Sequence, residues 1–151
     1  IDEANAALGV ARAFCGQAKT NGTLLTIQRD LYNMMAEVAA TPENAARFRT
    51  IDAHRVAWLE AEMDWVGDKI EIPKDFIVPG DSKVGAYLDL ARTIVRRAER
   101  RVSTLVHKGD LENPQILPYL NRLSSLCFIF ELWETLTSTE NRISLAKDRD
   151  T

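Results

Sequence analysis

Between Ser82 and His107, apolar side chains return every three or four positions: Val84, Tyr87, Leu88, Leu90, Ala91, Ile94, Val95, Ala98, Val102 and Leu105. At about 100° per residue they fall on one arc of a helix, roughly 160° wide. A long helix with so broad an apolar side needs other helices along most of its length. This requirement constrains the fold more than any other feature of the chain.

The remaining sequence supplies the cover. Strand patterning is nearly absent, and four further helical patterns accompany the one above. The first runs over residues 1–18 and is expected to stop near Asn21-Gly22. The second, over 23–40, ends ahead of Thr41-Pro42, because proline disfavours helix in the residue before it. The third begins around Thr50 and carries a stripe of Val56, Leu59, Met63, Val66 and Ile70. The segment IEIPKDFIVPGDS, with Pro73, Pro79 and Gly80, must be a loop. Ser82 is then the N-cap of the arginine-bearing helix, which runs to about His107. After a KGDLEN turn, Asn113 and Pro114 are expected to cap and open the last helix, to about Thr139, and the tail SLAKDRDT to fray. The expected architecture is all-α, a five-helix bundle in one domain over residues 1–151.

That same helix carries Arg92, Arg96, Arg97, Arg100 and Arg101, although the chain has a net charge of −3. Like charges three or four apart repel, so acidic partners or an anionic ligand must offset them. Arg92, Arg96 and Arg100 form one row beside the apolar arc with Glu99 next to it, while Arg101 falls inside the arc and calls for a carboxylate or an interface. The row suits either a polyanion gripped by forked guanidinium donors or a solvated face with intrahelical ion pairs. An acidic chain lacks the broad positive footprint of a duplex binder, so nucleic acid is not an expected partner. No apolar run reaches the roughly 18–20 residues that cross a bilayer, so no membrane partner is expected. Cys15 and Cys127 stand far apart without a CxxC, which fits reduced thiols and a cytoplasmic protein. His54 and His107 lie on different elements without ExxH spacing, so no side-chain metal site is assigned. Trp58, Trp65, Met34 and Met35 read as packing residues, and Phe76 on its own reads as a plug for its loop.

The stretch DFIVPGDSKVGAYLDLARTIVRRAERRV, followed by PYLNRLSSLCFIF, resembles the PduO-type ATP:cob(I)alamin adenosyltransferases. That family carries a phenylalanine-led FILPGG-like loop, then LARxxxRRAER, then NRLSD. The opening IDEANAALG is similar to its VDELNSxIG, and IQRDLYNMMAEVA to its IQNDLFDLGAELA, so the resemblance spans nearly the whole chain in order. It implies a homotrimeric five-helix bundle with active sites between subunits. It further implies transfer of the 5′-deoxyadenosyl group of ATP to cob(I)alamin, assisted by Mg²⁺, with triphosphate released. Carried over by motif, Arg96, Arg97, Glu99 and Arg100 border the ATP, with Arg96 on the phosphates, and Asn121 contacts it too. Phe76 lies under the corrin ring and displaces the lower ligand, and Asp2 pairs with Arg92 across a subunit boundary beside the corrinoid. A cob(II)alamin reductase and an adenosylcobalamin-dependent enzyme are the protein partners the family suggests. Its glycine-rich phosphate loop is expected ahead of Ile1, and Arg29, Asp81, Ser125 and Glu131 depart from its usual residues. These departures keep a non-catalytic corrinoid-binding or delivery protein open as the alternative, and an anion- or RNA-binding helical module as a third reading.

Overall fold

The computed structural model describes residues 1–139 and 142–147. They form α1 (Asp2–Phe14), α2 (Ala18–Ala39), the one-turn α3 (Pro42–Ala45), α4 (Ala53–Gly67), α5 (Lys83–Lys108) and α6 (Ile116–Leu136). A 3-10 turn, Ala46–Phe48, follows α3. Among the described residues there is no strand, and Ile77 and Leu145 make an isolated antiparallel bridge. The all-α expectation holds, with α3 and its 3-10 turn added where the sequence reading had only a connection.

α6 is buried over most of its circumference, by Ile116, Tyr119, Leu120, Leu123, Leu126, Cys127, Ile129, Phe130 and Leu132 among others, and only a stripe with Leu117, Asn121, Ser125 and Phe128 is partly exposed. A helix apolar over most of its surface belongs in the centre, and α5 and α4 lie along it while α1 packs between α5 and α2. α5 instead buries one stripe, Val84, Leu88, Ala91, Val95, Ala98 and Val102, and turns its arginines outward. Its ends follow local rules. The Ser82 hydroxyl accepts the Gly85 N–H at 3.0 Å, and Gly109 closes the helix at φ 77°, a left-handed conformation that glycine adopts without strain.

Other boundaries follow distant contacts. Asn21-Gly22 lies inside α2, and the break falls earlier, at Cys15–Gln17. There the buried Glu134 carboxylate of α6 accepts the N–H groups of Gly16 (2.9 Å) and Gln17 (3.3 Å), and the Asn21 amide donates to the Arg12 carbonyl at 3.2 Å. α4 begins at Ala53, where Asp52 accepts the Arg55 N–H at 2.9 Å. Asn113 does not cap α6 directly. It is buried, accepts the Gln115 N–H at 3.0 Å in the turn before the helix, and donates to Glu37 (3.1 Å) and the Ile51 carbonyl (3.0 Å). α6 stops at Leu136, three residues short of the expected end.

The tail is also corrected in part. Residues 148–151 lie outside the described residues, but Ser144–Lys147 are tied down rather than frayed. The Val78 N–H donates to the Ser144 carbonyl and the Ala146 N–H to the Phe76 carbonyl, each at 2.8 Å.

Candidate functional site

Two clefts open on the outer face of α5 and α6, and Arg96 lines both. The smaller, about 380 Å³, is bounded by Arg96, Glu99, Arg100 and Ser103 of α5 and by Leu117 and Asn121 of α6. The larger, about 580 Å³, lies between these helices and the Phe76 loop, with Arg92, Ser124, Ser125 and Phe128 in its wall. The i, i+4 spacing of Arg92, Arg96 and Arg100 stacks them on one face of α5, which is why a single row serves both openings.

In the smaller cleft the Asn121 side chain is held by its neighbours. Asn121 donates to Glu99 at 3.0 Å and accepts from Arg122 at 2.9 Å, and Arg122 is itself held by Glu60 at 2.7 Å. The Asn121 amide is therefore fixed in orientation. Arg96 and Arg100 are exposed and have no ion-pair partner among the described residues. Two unneutralised guanidinium groups beside an oriented amide make a receptor for a multiply charged anion. Of the row, Arg92 alone makes an intrahelical ion pair among the described residues, with Asp89 one turn earlier.

The larger cleft is mostly apolar. Phe76 stands at its mouth with 84% of its surface exposed, so within one chain it does not plug its own loop. Arg92 is half-buried in the wall, where its Nε donates to Asp89 at 2.7 Å. Behind this pair lies Glu131, 3% exposed, whose Oε2 has no hydrogen-bond partner among the described residues. Burial, then the charges of Asp89 and Asp81, push its carboxyl up to about 8 against the pull of Arg92. The neighbouring Cys127 thiol is pushed up to about 12, mainly by burial, and is inert near neutrality.

Not every expected site residue joins these clefts. Arg97, about 100° further round α5 than Arg96, pairs with Glu3 of α1. It lines a separate groove of about 770 Å³ with Asp2, Arg101, Ile94 and Met35. Asp2 is thus away from Arg92 within one chain, and Arg92 pairs with Asp89 instead. Arg101, expected to find a carboxylate or an interface, is exposed in this groove without an ion-pair partner among the described residues. Asp89 and Ser124 were not anticipated. Asp89 could have been found, since it lies one turn before Arg92, whereas only the packing of α6 on α5 reveals Ser124. Among the described residues no group of three His, Cys, Asp or Glu side chains could hold a metal ion. Both histidines are exposed, and Trp65 packs edge-on to Trp133, with ring centroids 6.1 Å apart, beneath Lys69.

A family model described as cobalamin adenosyltransferase matches residues 1–134. A corrinoid adenosyltransferase of Bacillus subtilis is 38% identical over 132 residues, which cover 85% of this chain and 67% of the relative. The corrinoid adenosyltransferase PduO of Citrobacter freundii is 32% identical over 144 residues, covering 95% of this chain and 43% of that protein. The chain therefore spans about two thirds of one relative and under half of the other. Among solved structures, a variant PduO-type ATP:corrinoid adenosyltransferase from Lactobacillus reuteri, complexed with cobalamin and ATP, superposes with a TM-score of 0.84. It is 26% identical, and the match covers 97% of this chain and 80% of that one.

Proposed function

The chain belongs to the cobalamin adenosyltransferase family, and from that premise we propose that it transfers the 5′-deoxyadenosyl group of ATP to cob(I)alamin. The observation that carries this reading is the pair of clefts meeting at Arg96, one rich in anion donors and the other apolar with an exposed phenyl ring. Such a pair suits a reaction whose two substrates are a triphosphate and a large flat macrocycle.

In the step itself, the cobalt(I) electron pair attacks C5′ of ATP. A Co–C bond forms, the C5′–O bond breaks, and triphosphate leaves with the bonding electrons. A nucleophile of that strength needs no protein base, so the protein contributes alignment and stabilisation of charge on the leaving group. Arg96 holds the phosphates at the junction, Arg100 and Asn121 extend the grip, and Glu99 orients Asn121. Phe76 covers the lower face of the corrin and favours loss of the lower axial ligand. Mg²⁺ would neutralise the phosphates. Among the described residues no group of three His, Cys, Asp or Glu side chains could hold it, and the phosphate oxygens of the nucleotide would supply its ligands.

A homotrimer completes the reading. Asp2 and Arg97, remote from the two clefts within one chain, then face a neighbouring copy. Asp2 of one chain competes with Asp89 for Arg92 of the next, and Arg97 borders the neighbour's nucleotide. A cob(II)alamin reductase would supply the substrate, and an adenosylcobalamin-dependent enzyme would use the product.

The test is an anaerobic assay with chemically reduced cob(I)alamin and MgATP, followed by the absorbance change to adenosylcobalamin. Conversion is expected, and Arg96→Ala is expected to lower kcat/KM by about 10² or more. Full activity in Arg96→Ala would overturn the assignment. Tight corrinoid binding without conversion would instead favour a delivery protein.

A further inference from the structure

A phenyl ring that is 84% exposed has little beneath it to keep it in place. The Phe76 loop is fastened from behind by a distant part of the chain. The Val78 N–H donates to the Ser144 carbonyl and the Ala146 N–H to the Phe76 carbonyl, both at 2.8 Å, which sets Ile77 opposite Leu145. These bonds grip the backbone on either side of Ile77 and fix the direction in which the Phe76 side chain leaves it. Gly80, at φ 128°, turns the chain in a conformation that other residues rarely adopt, and the next residue is Asp81. Asp81 takes two further bonds from the same segment, from the Ser144 N–H at 2.6 Å and from its hydroxyl at 2.9 Å. The Lys147–Asp75 pair, 3.7 Å apart and largely exposed, adds little. On its other side Asp81 adjoins Ser82, which caps α5 and bonds the buried Thr135 hydroxyl of α6 at 2.7 Å.

We propose that Ser144–Lys147 is a strap, and that Asp81 and Ser144 are positioning residues which hold the phenyl ring of Phe76 against the lower face of the corrinoid. The proposal rests on the corrinoid role given to Phe76 above. It also accounts for an aspartate where the resembling family has a small residue. The carboxylate is not turned to the cleft but is spent on fastening its rim.

Three variants of the full chain test this: Asp81→Ala, Asp81→Asn, which keeps one acceptor oxygen, and Phe76→Ala. Amide hydrogen exchange is read at Val78 and Ala146, with Leu123 and Phe130 of the core as folding controls. Asp81→Ala is expected to speed exchange at the first two by about tenfold or more and to leave the controls unchanged. The KM for cob(I)alamin should rise about tenfold while that for ATP stays within about twofold. The base-off fraction of bound cob(II)alamin, read from its visible absorption, should fall. Asp81→Asn should lie between, and Asp81→Ala should add little in a Phe76→Ala background. Unchanged exchange, or a normal corrinoid KM in Asp81→Ala while Phe76→Ala is impaired, would overturn the strap. Faster exchange together with full activity in Phe76→Ala would overturn the corrinoid role of Phe76, and the positioning role with it, leaving Asp81 as a structural tie.

Discussion

Glu131 sits where a carboxylate is least at ease, buried behind Arg92 with one oxygen unbonded and Asp89 and Asp81 near it. Its carboxyl is pushed up to about 8, chiefly by burial, so the folded chain keeps a proton that the unfolded chain loses near pH 4.5. Stability from this group is therefore intact below about pH 4.5 and declines as pH rises towards 8. Glu131→Gln should match the parent in urea unfolding at about pH 4 and exceed it at about pH 8.5 by on the order of 1–3 kcal/mol. A difference that does not change with pH would refute this account. The arginine row was legible because helix angle alone decides which side chains share a face. Glu131 was not, since its burial depends on where α6 lies against α5, and no local pattern encodes that.

At the scale of the element, α5 is held by its two ends. Ser82→Ala removes the cap to Gly85 and leaves the buried Thr135 hydroxyl without its partner, and should cost about 1–3 kcal/mol. Gly109→Ala puts a side chain at φ 77° and should cost about 1 kcal/mol. Denaturant midpoints at constant m-value check both, and losses below a few tenths of a kcal/mol would contradict the assigned caps. These ends were readable because each rests on residues within a few positions of the helix. The α1–α2 break was misread for the opposite reason. Asn21-Gly22 is the stronger turn signal, yet Glu134, 118 residues away from Gly16, turns the chain earlier and makes Asn21 useful inside α2. Asn113 was likewise identified as a capping residue, but its amide is drawn to Glu37 and Ile51.

For the molecule as a whole, the apolar arc of α5 is broader than one chain can cover. Leu90 is 53% exposed, and on the helix it lies in line with Ile94, Arg97 and Arg101 along the groove towards α1 and α2. The proposed trimer would cover this strip. Sedimentation should give three times the mass of the chain, and Leu90→Glu should shift the population towards monomer with helical content unchanged. A parent that is monomeric at micromolar concentration would remove the trimer, and with it the neighbour-facing roles of Asp2 and Arg97.

The position of Arg96, in the wall of two clefts at once, has a thermodynamic corollary. One guanidinium cannot be desolvated and oriented for one occupant without altering what the other finds. With both clefts filled as proposed, the two ligands would be linked through a shared side chain: whatever factor the first imposes on the affinity of the second, the second must return in equal measure. Random arrival of substrates would still be possible, but independent arrival would not.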